Sequence, residues 1–202
     1  MYFDAEWNLI TCADENNELW KIRSDGSHEV LLKGTPQPFN GPNDLWISAD
    51  NTVYFTDPFY KRPWWQHATA PRDVRGLYRC NIDGSNLQLL DGDFKQPNGI
   101  VGDPKRSLLY VADIDDGKIY AYPLLADGQL GERRLFCEEK SDGMTVDQSG
   151  NVYLPNNKGV CVYAPDGKAL GVIATGESWT ANVCFGGKDH KVLYITASDS
   201  VY

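Results

Sequence analysis

Four times along the chain an Asn or Asp stands 11 or 12 positions ahead of a Tyr-centred apolar stretch: Asn43 before Tyr54, Asn98 before Tyr110, Asp142 before Tyr153, and Asn182 before Tyr194. Repetition at this spacing restricts the chain to architectures assembled from equivalent units. Successive tyrosines lie 56, 43 and 41 residues apart, and a unit of roughly 40 to 50 residues holding four short strands is the size of a propeller blade. Each unit reads alike: a polar residue, a short apolar strand, a turn rich in Asp, Asn and Gly, a β-branched and aromatic strand, then further strands with Leu or Ile beside Tyr.

One unit runs through Asp44-Leu45-Trp46-Ile47-Ser48, the turn Ala49-Asp50-Asn51 and Thr52-Val53-Tyr54-Phe55-Thr56-Asp57. It continues with Gly76-Leu77-Tyr78-Arg79, the turn Asp83-Gly84-Ser85, and Leu87 to Leu90. Leu108 to Asp113 with Lys118 to Ala121, and Asn151 to Leu154 with Val160 to Tyr163, repeat the pattern. No segment carries a helical period, so the predicted class is all-β, a β-propeller with about five blades represented. A β-sandwich is the competing arrangement. The Trp-Asp and Gly-His pairs of WD40 blades are absent.

The register runs off both ends of the sequence. Aligning Ile10 with Tyr54 and Tyr153 places the first unit's polar residue just before Met1, and Val192 to Thr196 opens a fifth blade whose third strand, Ser200-Val201-Tyr202, is starting at the last residue. Residues 1–202 are therefore expected to be a single β-propeller domain, truncated at its N-terminus and incomplete in its last blade, because a propeller hides its sheet edges by closing its ring.

With 19 Lys and Arg against 28 Asp and Glu, the formal net charge is −9. Phosphate binding needs a basic surface, so nucleic acid and anionic membrane are not expected partners; small molecules, cations and proteins are left. No stretch approaches the roughly 20 apolar residues that span a bilayer. The five cysteines are widely spaced with no Cys-x-x-Cys pair, which reads as mostly buried strand residues and not as a disulfide framework or zinc knuckle. Met1-Tyr2-Phe3-Asp4 shows no leader pattern, making the cytoplasm the default compartment if the true N-terminus were present. The three histidines are scattered and no Gly-x-Ser-x-Gly occurs, so a serine-hydrolase triad is unsupported.

The segments Gly41-Pro42-Asn43-Asp44-Leu45, Val53-Tyr54-Phe55-Thr56-Asp57-Pro58, Gln96-Pro97-Asn98-Gly99-Ile100, Ser141-Asp142-Gly143-Met144-Thr145-Val146-Asp147 and Val192-Leu193-Tyr194-Ile195-Thr196-Ala197, in this order and spacing, resemble the SMP-30/gluconolactonase/LRE-like family, essentially end to end. The resemblance implies a six-bladed propeller with one divalent cation, calcium or else zinc, in the central channel. It implies hydrolysis of a gluconolactone-like sugar lactone or related ester to the hydroxy acid. Asn98 and Asp142 would be metal ligands, Asp142 would also be the catalytic acid/base, and Asn43 would contact the substrate or the metal's water. Asp57 and Asp113, each ending the second strand of a blade, are candidates for a supporting role.

Two departures from the family pattern stand out. The Glu that supplies the other metal ligand belongs to a first blade missing here, and Gly41 replaces the Arg that contacts a sugar acid in many members. An inactive propeller fragment, or a binding or interaction scaffold lacking that Glu, is therefore the alternative to a lactonase.

Asn and Asp ahead of strands also serve as plain turn formers, and for Asn182 the structural role is the expected one. The long connection from Phe59 to Arg75, with Trp64 and Trp65, joins two strands that need only a short turn. It either walls a sugar-lactone pocket or covers a neighbouring blade. Asp113-Ile114-Asp115-Asp116-Gly117 begins like a calcium loop, but Leu124 occupies the place of the bidentate Glu, so a hairpin turn is expected.

Overall fold

The computed structural model describes all residues from Met1 to Tyr202. The chain contains no helix; five antiparallel sheets follow one another in sequence. The first holds β1 (Tyr2–Phe3), β2 (Leu9–Ala13), β3 (Glu18–Ile22) and β4 (His28–Lys33); the second holds β5 (Leu45–Ile47), β6 (Thr52–Asp57), β7 (Gly76–Asn81) and β8 (Gln88–Asp91). In the third are β9 (Pro97–Asp103), β10 (Leu108–Asp113), β11 (Lys118–Pro123) and β12 (Arg134–Cys137). The fourth comprises β13 (Thr145–Val146), β14 (Val152–Asn156), β15 (Gly159–Tyr163) and β16 (Ala169–Ile173). The fifth has three strands, β17 (Thr180–Gly186), β18 (Val192–Ala197) and β19 (Ser200–Val201). Within every sheet, neighbours in sequence are neighbours in space. The stretch from Asp113 to Lys118 forms the expected β10–β11 hairpin.

The chain divides into two compact units, Met1–Ile100 with Ala126–Gln129, and Val101–Leu125 with Leu130–Tyr202. In the first unit, Ile10, Leu19 and Leu32 of the first sheet pack with Phe39 and with Leu45, Ile47, Val53, Phe55, Tyr78 and Cys80 of the second. Phe39, Phe55 and Tyr78 form an aromatic triad with centroids 5.3 to 5.6 Å apart, the offset and edge-on contacts that aromatic quadrupoles favour. In the second unit Val160 packs with Val183 and Ile195, and Tyr153 meets Phe185 edge-on at 5.2 Å. Cys80, Cys137 and Cys161 are buried, Cys12 is half-buried, and Cys184 is exposed.

The turn after the third strand of the first, second and fourth sheets is written in local chemistry. In Asp25-Gly26-Ser27, Asp83-Gly84-Ser85 and Asp166-Gly167-Lys168 the Gly amide donates to the carbonyl three residues earlier, at 2.9 Å each time. The Asp carboxylate accepts the amide two residues on, at 2.8, 2.9 and 3.1 Å, an Asx-turn that pre-pays the reversal. Gly26 and Gly84 share a positive φ, +82° and +78°, but a Cβ on Gly26 meets nothing whereas one on Gly84 overlaps the Leu31 carbonyl oxygen. Gly26→Ala is therefore expected to cost about 1 kcal/mol, the left-handed penalty alone. Gly84→Ala should cost about 3 kcal/mol, with backbone displacement added. Urea unfolding of both variants checks this; equal midpoints would refute the packing argument.

No helix is long and apolar enough to cross a membrane.

Candidate functional site

In the first unit the chain enters β5 through Asn40-Gly41-Pro42-Asn43. The Asn43 amide donates to the Thr56 carbonyl at 2.9 Å, and the Thr56 hydroxyl donates to the Asn98 carbonyl at 2.7 Å. Asp44 accepts the Ile100 amide at Oδ2, 3.2 Å away. Two of the candidate residues, Asn43 and Asn98, are thus each tied by a main-chain group to Thr56. Asn98 is 3% exposed. Its Nδ2 donates to the Tyr60 hydroxyl at 2.7 Å, while its Oδ1 is buried without any hydrogen-bond partner. Leaving such a carbonyl unmet costs about 1–3 kcal/mol, so this oxygen is poised for a cation or a donor from a ligand.

Asp57 ends β6 fully buried. It accepts the Asn40 amide at 3.0 Å and the Gly41 amide at 2.8 Å, bracing the segment that delivers Asn43. Burial pushes its carboxyl up to about 7; the two amides and the Arg72 guanidinium pull the other way without prevailing. Arg72 secures the same segment, stacking over Phe39 at 4.2 Å and donating to the Pro38 and Gln37 carbonyls at 2.9 and 2.8 Å.

The excursion between β6 and β7 contains no strand from Pro58 to Val74 but is firmly attached. Gln96 holds Phe59 at both its carbonyl (2.8 Å) and its amide (3.5 Å). The Trp65 indole donates to the Asp14 carbonyl at 2.6 Å, stacks on His67 at 4.9 Å and is buried. Trp64, by contrast, is 56% exposed. Gly41, with φ +143°, lies so close beneath Trp65 that a Cβ there would sit 2.8 Å from its ring. Trp65 fills the space a longer side chain at 41 would need, so the Gly at this position and the Trp in the excursion form a pair.

In the second unit Asp142 enters β13 as Asn43 enters β5. Its amide donates to the Pro155 carbonyl at 3.1 Å, and the pairing of Thr145 with Tyr153 matches that of Trp46 with Tyr54. The half-buried Asp142 carboxylate accepts the Trp179 indole N–H at Oδ2, 2.8 Å away. Asn156 at the end of β14 donates to the Lys140 carbonyl at 2.9 Å, bracing the approach to Asp142 as Asp57 braces the approach to Asn43. Asp113, at the end of β10, accepts the Asp116 amide at 3.4 Å in its own hairpin.

Asn182 occupies a different position from the one its spacing suggests. Cys184 pairs with Tyr194 where Trp46 pairs with Tyr54, which puts Asn182 in register with Asp44. The bonds agree. Each side chain accepts the next residue's amide, Leu45 at 2.9 Å and Val183 at 2.8 Å, and each carbonyl has a Thr hydroxyl beside it, Thr56 at 3.5 Å and Thr196 at 3.4 Å. The Asn182 carboxamide also packs directly against Gly143.

Blade-type antiparallel sheets with an oxygen-bearing side chain at successive strand entries define a protein of the β-propeller class. The chain matches the SMP-30/Gluconolactonase/LRE-like region over residues 1–199 and belongs to that family. A gluconolactonase of Zymomonas mobilis is 33% identical over 178 residues, covering 81% of this chain and 49% of its own length. A 6-deoxy-6-sulfogluconolactonase of Pseudomonas putida is 34% identical over 149 residues, covering 69% of this chain and 50% of its own. The chain thus spans about half the length of these curated relatives. Among solved structures, a gluconolactonase from Xanthomonas campestris superposes with a TM-score of 0.89 at 30% identity, over 98% of this chain and 68% of that one.

Proposed function

We propose that the protein hydrolyses a sugar-type lactone to the corresponding hydroxy acid with the help of one divalent cation, calcium or zinc, and that its sheets belong to a propeller of the six-bladed type. The observation that carries this reading is the Asn98 Oδ1: a buried amide oxygen with no donor, the neutral oxygen ligand that a hard cation accepts. Asn98 is the residue of the first unit proposed to hold the ion, and Asp142 of the second is proposed as the acid/base. When bound, the ion supplies Lewis-acid polarisation of the lactone carbonyl and neutralises charge on the reacting oxygen.

The rest is the chain's own chemistry. Asp142 takes a proton from the attacking water as its oxygen bonds to the carbonyl carbon. When the ring C–O bond breaks, the same carboxyl returns the proton to the departing alkoxide, so that one water is added overall. The Trp179 indole, donating to one carboxylate oxygen, fixes the plane in which Asp142 works. Asn43 addresses the substrate, and Asp57 keeps its segment in place.

Hydrolysis of a panel of aldonolactones and simple lactones, with and without chelator, tests the reading. Turnover that chelator suppresses and added calcium or zinc restores is the expected result. Absence of both turnover and cation binding would sink the enzyme reading for this chain.

A further inference from the structure

Asn98 is gripped from two sides. Its main-chain carbonyl receives the Thr56 hydroxyl at 2.7 Å, and its side-chain nitrogen gives a hydrogen to the Tyr60 hydroxyl at 2.7 Å. Tyr60 comes from the excursion after β6, and the residue before it, Phe59, is clamped at carbonyl and amide by Gln96. Gln96 and Asn98 are two residues apart, the spacing that puts extended-chain side chains on one side. The excursion is thus tied to the entry of β9 at two adjacent points, and one of them is the candidate ligand itself.

A carboxamide has an oxygen at one end and a nitrogen at the other, similar in shape and opposite in hydrogen-bonding sense. A cation tolerates only the oxygen. Which end faces the site is therefore a question of what holds the other end; in this chain the holder is a phenol, able to donate or accept, and here it accepts from Nδ2, the sense that leaves Oδ1 for an ion. We infer that Tyr60 is a positioning residue for the cation site: its hydroxyl accepts the Asn98 amide hydrogen and so turns Oδ1, not Nδ2, toward the ion. This rests on the cation reading proposed above. It assigns the excursion a task beyond roofing, since the loop carries the group that sets the ligand's orientation.

The test is a double-mutant cycle read by calorimetric titration of the protein with calcium: wild type, Tyr60→Phe, Asn98→Asp, and the combination. Tyr60→Phe removes one oxygen and should weaken calcium binding roughly tenfold, the usual scale for losing an outer partner of a ligand. A carboxylate presents oxygen whichever way it is turned. In the Asn98→Asp background the same Tyr60→Phe change should therefore cost less than about twofold, the coupling that marks two residues acting through one contact. Equal losses in both backgrounds would show a general loosening of the excursion and overturn the inference, as would no loss in either. If wild type hydrolyses lactones and binds calcium and Tyr60→Phe binds it as tightly, only the role of Tyr60 falls. If wild type binds neither calcium nor zinc, the cation reading falls and this inference with it.

Discussion

Asp142→Asn is expected to lower lactone hydrolysis roughly a thousandfold, within the range that a positioned acid/base contributes, while leaving the urea midpoint close to that of wild type. The separation of the two effects is argued from two bonds of Asp142. Its backbone amide, which ties β13 to β14 through the Pro155 carbonyl at 3.1 Å, is untouched by the substitution. Its side chain receives the Trp179 indole N–H at 2.8 Å, and an Asn oxygen can receive the same hydrogen in the same volume. What disappears is the negative charge and the ability to carry a proton between water and alkoxide. Measuring turnover at saturating calcium separates this loss from any weakening of the ion. Wild-type rates in the variant would place the base elsewhere. A collapse of stability matching the loss of activity would make Asp142 a structural aspartate.

How much of this was legible beforehand differs residue by residue, and the differences have physical causes. The sheets could be read because they are locally written: alternating apolar positions, then Asp-Gly turns whose carboxylates cap their own amides. Asn43 and Asp142 could be placed in equivalent positions because the hairpins that follow them have matching registers. Asn182 could not. Ten positions separate Cys184 from its partner Tyr194 where eight separate Trp46 from Tyr54; counting back from Tyr194 cannot see the longer hairpin, so the spacing points one residue away from the true register.

Asn156 is legible in the sequence as well. It follows Tyr153 by three positions, as Asp57 follows Tyr54 and Asp113 follows Tyr110, and only its amide character hid its likeness to the two aspartates. Tyr60 and Trp179 carried no such signal. One sits in an excursion and the other in the connection before β17, where no periodicity applies, and each is identified only by the side chain it touches. The Gly41 departure from the family pattern gains a cause as well, because Trp65 occupies the space above it.

The remaining large effect concerns pH. The Asp57 carboxyl, pushed up to about 7 by burial, binds its proton more tightly in the folded protein than in the unfolded chain, where an Asp titrates near 4. The folded state therefore holds the extra proton between those two values, and stability must fall as pH rises through that window. The contribution is fully present below about pH 4 and gone above about 7; between pH 5 and pH 8 the loss amounts to roughly 2.5 kcal/mol. Asp4 and Asp147 run in the opposite sense. Burial would raise both, but hydrogen bonds led by those from Asn8 and Asn151 hold them below the usual carboxylate range, so their contribution is lost only as pH falls. Working above pH 5 keeps their titration out of view. Asp57→Asn imitates the neutral side chain at every pH, retaining one oxygen for the Asn40 and Gly41 amides. The difference between wild-type and variant unfolding free energies, from urea melts at pH 5 and pH 8, should shift by about that 2.5 kcal/mol in favour of the variant at the higher pH. Parallel curves would mean that Asp57 stays ionised when folded, its two amide donors and Arg72 outweighing burial. Because those same amides lie two and three residues ahead of Asn43, the titration that weakens the fold would also act on the segment presenting Asn43.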